Sequence, residues 1–78
     1  MKLPKVETGV RIALRAKGYL PATEAARRIG YSGQAVYDMI RRGVIRDVRL
    51  GKAHWVEWAS LVDHFRQQNP EAARLAGL

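Results

Sequence analysis

Arg27 and Arg28, then Arg41 and Arg42, then Arg49 and Lys52 set cations at three places along the middle of this chain. Such groups suit phosphate. Arginine offers a planar fork of donors that matches phosphate oxygens, and lysine offers a compact point charge. Between the first two pairs stand Ser32, Gln34 and Tyr37. A glutamine amide carries donors and an acceptor on one plane, so it can pair bidentately with adenine. The hydroxyls of Ser32 and Tyr37 can reach phosphate. Ser32 serves equally well as a helix cap, and Tyr37 as packing beneath a neighbouring element. Asp38 would repel phosphate if it faced the same surface, so it reads as a partner for an arginine. The chemistry on offer is recognition of a polyanion: charge for its backbone and an amide for a base edge.

Other chemistries find less support. There is no cysteine, which removes thiolate nucleophiles, thiolate metal sites and disulfides. His54 and His64 have no local carboxylate cluster beside them and read as packing or surface groups, so neither a metal nor a cofactor is expected. Trp55, Trp58 and Phe65 offer stacking surfaces for single strands, but their places in the pattern favour a core. No glycine-rich phosphate loop with its lysine and no acidic pair at useful spacing appears, so an enzyme is not expected.

Bulk properties agree. Fourteen Lys and Arg stand against seven Asp and Glu among 78 residues, a net charge of +7. A small basic domain favours a nucleic-acid partner over a merely solubilising surface. With 47% hydrophobic residues the chain is rich enough to fold as one domain. No apolar run approaches the roughly 20 residues of a membrane span, and no signal-peptide core opens the chain. A cytoplasmic protein is the expectation, with no membrane partner.

The elements that must position these residues follow from periodicity. Met1 to Lys5 reads as a basic arm. From Val6 to Lys17 the apolar Val6, Val10, Ala13 and Leu14 recur at helical spacing. Gly18 is a plausible stop, and Gly9 costs about 1 kcal/mol within the helix. Pro21 suits a helix start, predicting a helix over Ala22–Ile29 with Ala25, Ala26 and Ile29 inward. Gly30 supplies a left-handed stop. Ser32 caps a second helix over Gly33–Arg42, with Val36, Met39 and Ile40 inward, and Gly43 closes it. Val44 and Ile45 then anchor a hairpin in which Val48 and Leu50 alternate with Arg49, Gly51 and Lys52 turn, and His54, Trp55 and Val56 return. Trp58, Leu61, Val62 and Phe65 share one stripe of a closing helix. Asn69 caps, and Pro70 starts, a short terminal helix to about Ala76.

Two short helices joined by a tight turn, with Ala26, Gly30, Val36 and Met39 at the crossing, fit a helix-turn-helix better than a plain helical hairpin. A basic hairpin after it makes a wing. The expected fold is mainly α with a small two-stranded β-hairpin, a winged helix-turn-helix. The expected layout is an arm and extra helix over 1–18, the winged domain over 19–68 and a short helix over 69–78.

The stretch from Tyr19 to about Phe65 resembles the excisionase and MerR-type winged helix-turn-helix domains. The resemblance is carried by Tyr19-Leu20, Glu24-Ala25-Ala26, Gly30, Ser32, Val36-Tyr37, Arg41-Arg42-Gly43, then Arg49, Gly51 and Lys52, and Leu61 and Phe65. The chain departs from the common pattern at Pro21, where Thr or Ser is usual, at Arg28, and at Gly33-Gln34-Ala35, where arginine is frequent. It has no long coiled coil after the domain, so no small-molecule effector is expected. The resemblance implies that the second helix enters the major groove, with Gln34 the foremost base reader. It implies phosphate contacts from at least one of Arg27 and Arg28, and from Ser32, Tyr37, Arg41 and Arg42, while Arg49 and Lys52 serve the wing. Arginines at the end of the second helix also favour its dipole.

The functional expectation is a sequence-specific double-stranded DNA-binding protein. It would be an excisionase-like recombination directionality factor or a small transcriptional regulator of a mobile element or phage. The alternative is the DNA-recognition module of a packaging assembly, similar to a terminase small subunit. A protein-interaction winged helix would show an apolar second helix, whereas this one offers Gln34, Tyr37 and Arg41. Self-association on DNA is also expected, through the stripe of Val6, Val10 and Leu14 or a patch of Leu75 and Leu78.

Overall fold

A computed structural model of the protein describes residues 6–78, with side chains from Gly9 onward. The expected arm over residues 1–5 lies outside the described residues, and so does the place of the Val6 side chain on the first stripe. The order is α1 (Val6–Ala16), β1 (Tyr19–Pro21), α2 (Ala22–Ile29), α3 (Gly33–Arg42), β2 (Asp47–Leu50), β3 (Ala53–Glu57), α4 (Trp58–Gln68) and α5 (Pro70–Leu75). The chain is mainly helical with one small antiparallel sheet.

That sheet has three strands in the order β1-β3-β2, so the expected two-stranded hairpin is incomplete. Tyr19, Leu20 and Pro21 pair with Glu57, Val56 and Trp55. The physical cause is local. A residue before proline is pushed into extended backbone, Leu20 is buried, and Pro21 lacks a donor, which an edge strand tolerates. The Trp58 amide donates to the Gly18 carbonyl at 2.9 Å and extends the same ladder. Three residues are too few to show an alternating pattern.

Cross-strand partners share a face, and the register sorts the sheet. Leu20, Val56, His54 and Arg49 lie on one side, and Pro21, Trp55, Val48 and Leu50 on the other. The first side meets the main core. There Leu20, Ala22, Ala25, Ala26, Ile29, Val36, Met39, Ile45, Val56 and Leu61 form one buried cluster. Burying each of Val36, Val56 and Leu61, which are almost fully enclosed, contributes about 1.5–3 kcal/mol. The helix α1 packs against β1, and the Arg15 guanidinium lies over the Trp55 ring at 5.7 Å. The second face of the sheet therefore meets α1 through Trp55, while Arg15 also reaches Glu24 of α2.

The bounds expected for α2 and α3 hold. Gly30 at φ 75° and Gly43 at φ 71° end them in the left-handed region that suits glycine. Alanines at 25 and 26 are buried where α2 faces α3. Trp55 and Phe65 are buried as core residues and Trp58 is half-buried against the cluster.

Four expectations need correction. The α1 stripe meets the fold only in part: Leu14 is buried, whereas Val10 and Ala13 are exposed. Val44 does not anchor the hairpin; it is exposed and Ile45 carries the anchoring alone. Asn69 precedes α5, but its side chain makes no cap bond. Its Nδ2 instead donates to the Tyr31 hydroxyl at 3.2 Å. Leu75 and Leu78 do not share a patch, because Leu78 packs against the core while Leu75 is 82% exposed.

Candidate nucleic-acid interface

The helix α3 presents its polar residues because its apolar ones are consumed by the core. Val36 and Met39 are buried and Ile40 is half-buried. At 3.6 residues per turn the opposite stripe carries Gln34, Asp38 and Arg41, with Tyr37 on one flank and Arg42 on the other. Gln34 and Arg41 are exposed. Ser32 sets the start: its Oγ accepts from the Ala35 amide at 3.1 Å, as expected of a cap. That bond uses the oxygen and leaves the hydroxyl proton available to an anion.

The flank bearing Tyr37 meets the hairpin. The Tyr37 and His54 rings lie edge to face with centroids 5.4 Å apart. His54 is the cross-strand partner of Arg49, and its Nδ1 stands 3.1 Å from Asp47 Oδ2. Arg49 is thus on the same face of the hairpin as the ring that touches α3. Gly51 and Lys52 form the turn between β2 and β3, and both are exposed. One surface consequently runs from Gln34 and Arg41 through Tyr37 and His54 to Arg49 and the hairpin turn.

The arginines on this surface differ in their engagement. Arg49 and Lys52 have no ion pair among the described residues. Arg42 Nε is 3.1 Å from Asp38 Oδ2, and an Arg41 terminal nitrogen is 3.7 Å from Asp38 Oδ1. Asp38 thus has the arginine partnership expected of it. On α2 the neighbouring arginines part company. Arg27 is exposed with no ion pair among the described residues. Arg28 pairs with Glu24 at 3.2 Å and lies over the Trp58 ring at 5.7 Å. No hydrogen bond, ion pair or ring contact links the Arg27 or Arg28 side chain to α3 or the hairpin among the described residues.

Sequence reasoning missed two groups. Glu24 is a hub: its carboxylate accepts two bonds from Arg15 of α1, at 2.8 and 3.3 Å, and one from Arg28. The hydrogen bonds from Arg15 hold the Glu24 carboxyl below the ordinary glutamate range, against a smaller opposing effect of desolvation. The spacing of Glu24 and Arg28 was a readable i,i+4 signal; the reach from Arg15 was not. His54 is the other: it packs, in keeping with its reading as a packing or surface group, but its link to Tyr37 went unseen. It connects α3 to the hairpin, and nothing in the linear order joins it to Tyr37.

No family model, curated protein or solved structure matches this chain. The functional reading therefore rests on the residues and their arrangement. No cluster of three or more His, Asp or Glu suited to a metal occurs among the described residues. No helix among them is long and apolar enough to cross a membrane. A surface depression of about 660 Å³, lined by Arg46, Trp58, Ser60 and Arg66, includes no residue of α3. It is an open groove with Glu57 and Asp63 set among its cations.

Proposed function

We propose that this chain binds double-stranded DNA as a winged helix-turn-helix, with α2 and α3 as the helix pair and β2 and β3 as the wing. The observation that carries the reading is the Tyr37–His54 contact, which joins the polar stripe of α3 and the cationic hairpin into one surface. In this reading α3 lies in the major groove, Gln34 pairs with a base edge, and Arg41 and Arg42 turn toward phosphates. Ser32 holds the helix start and donates to a phosphate. Arg27 meets the backbone beside α2, Arg28 adds to it from its place on Glu24, and Arg49 and Lys52 grip the flanking groove. The narrower reading, an excisionase-like factor or a small regulator of a mobile element or phage, rests on the sequence resemblance alone. A site of this kind needs no catalytic group.

A single winged domain buries only about 600–1,000 Å² of its surface on DNA, so copies bound at adjacent sites belong to the same proposal. Ile12, 66% exposed, and Leu75 are the most exposed of the large apolar groups among the described residues and are taken as the contact. Sedimentation of the protein with a two-site duplex should show cooperative loading that Ile12→Ser or Leu75→Ser reduces.

Fluorescence anisotropy of a labelled duplex over a series of salt concentrations tests the main reading. Each neutralised phosphate contributes a slope of about −0.9 in log K against log salt. With the cations named above, a slope between about −3 and −6 is expected. Absence of binding at low salt, or a slope near zero, overturns the proposal.

A further inference from the structure

Asp38 stands in the middle of the exposed stripe of α3, one turn after Gln34 and one turn before Arg41 and Arg42. Its side chain is half exposed, at 51%, and both carboxylate oxygens are engaged by arginines of its own helix. An anion is out of place on a surface meant only for phosphate. We infer that Asp38 is a base-selecting residue that favours an amino-bearing base, cytosine foremost, at one position of the DNA site. This rests on the reading of the protein as a DNA-binding domain.

The argument is one of donors and acceptors. A carboxylate only accepts hydrogen bonds. In the major groove guanine presents N7 and O6, both acceptors, and thymine presents O4, also an acceptor. Asp38 repels all of these. Cytosine presents the N4 amino group and adenine the N6 amino group, which donate. Adenine sets its N7 acceptor beside that donor, so cytosine is the cleaner match. The arginines supply a further condition: they offset its charge, so that an anion on this face does not prevent approach to the duplex.

Geometry also fixes where the selected base lies. Gln34 and Asp38 are four residues apart, about 6 Å along the helix, and base pairs rise about 3.4 Å. The two residues therefore address positions roughly two base pairs apart if α3 follows the groove.

Selection from a randomised duplex library, followed by affinity measurement on single sites, tests the inference. The wild-type protein, Asp38→Ala, Asp38→Asn and Gln34→Ala are compared, with circular dichroism to confirm that each is folded. The wild type should enrich cytosine about two base pairs from the position that Gln34→Ala relaxes. Replacing that cytosine by guanine or thymine should weaken it roughly 5- to 150-fold. Asp38→Ala should lose this preference while binding other sequences as well or better. Asp38→Asn, which can pair with adenine through its amide, should move the preference toward adenine. If folded Asp38→Ala keeps the same base preferences and merely binds every sequence more tightly, Asp38 only tempers charge and the inference is overturned. Failure of the wild type to bind any duplex would instead overturn the DNA-binding reading beneath it.

Discussion

The ring of Tyr37 meets the ring of His54 edge-on, at 5.4 Å between centroids and 78° between planes. This is the contact that ties the polar helix α3 to the hairpin carrying Arg49, the cross-strand partner of His54. Such a pair contributes about 0.5–1.5 kcal/mol beyond the area it buries. Tyr37→Leu keeps apolar bulk and removes the ring contact. The variant should unfold at slightly lower denaturant and bind DNA more weakly. Its salt slope should also shrink by about one unit, because one wing cation no longer aligns with α3. Anisotropy and chemical denaturation on one preparation separate the two effects. An unchanged slope in a folded variant would mean that the hairpin acts independently of α3.

Work divides between base and backbone in the proposed complex. Gln34→Ala should cost about 1–3 kcal/mol on the best site and flatten the ranking among sites. Arg49→Ala and Lys52→Ala should weaken all sequences alike and each reduce the salt slope by about one. Competition binding against a panel of single-base variants reads both. Should Gln34→Ala leave the ranking intact, sequence reading lies elsewhere on the surface.

Much of the frame was legible in the sequence because it depends on local rules. Gly30, Ser32 and Gly43 each announce a helix boundary through backbone or capping chemistry, and α2 and α3 end where those residues said. The buried faces followed from helical spacing at Ala25, Ala26, Ile29, Val36 and Met39. What escaped depends on tertiary proximity. The strand β1 is three residues in which only Leu20, set before Pro21, has a local reason to be extended; its pairing with β3 is tertiary. Asn69 looked like a cap, but its side-chain oxygen makes no cap bond, and its Nδ2 donates to the Tyr31 hydroxyl, distant in sequence. Val44 and Ile45 are equally apolar in sequence, and only the path of the chain decides which is buried. In the site, composition found the cations; it did not reveal that Arg28 is committed to Glu24 and Trp58 whereas Arg27 is not.

Glu24 links α1 to α2 through Arg15, and this link responds to acid. Its carboxyl titrates below the ordinary glutamate range because Arg15 donates to it. A carboxyl depressed in the folded state stabilises the fold above its unfolded pKa and loses that contribution as pH falls through the folded value. Wild-type stability should therefore decline below the ordinary glutamate range partly through this group. Glu24→Gln should be less stable near neutrality and should lose less on acidification. The pair is solvent-exposed, so the effect is modest and shrinks at high salt. Denaturation curves at a series of acidic pH values compare the two proteins. Because the bond holds α1, tryptic cleavage after Arg11 or Arg15 should also quicken in Glu24→Gln.

The turn between α2 and α3 is braced by the far end of the chain. Tyr31 sits in that turn, its ring edge-on to Phe65 at 5.3 Å and 89°, and its hydroxyl accepts from Asn69 Nδ2 at 3.2 Å. The two contacts separate by substitution. Tyr31→Phe keeps the ring pair and loses the hydrogen bond. Asn69→Ala loses the same bond from the other side. Each should destabilise by about 0.5–1.5 kcal/mol, the usual net worth of one such bond. A domain of this size loses roughly 4–8 °C in Tm per kcal/mol. Because both substitutions break one bond, the double variant should be little worse than either single, with a coupling energy near the value of the bond itself. Tyr31→Ala removes the ring contact as well and should cost clearly more than Tyr31→Phe. Additive losses in the double variant would mean that Asn69 and Tyr31 act separately, and that the terminal helix does not hold the turn.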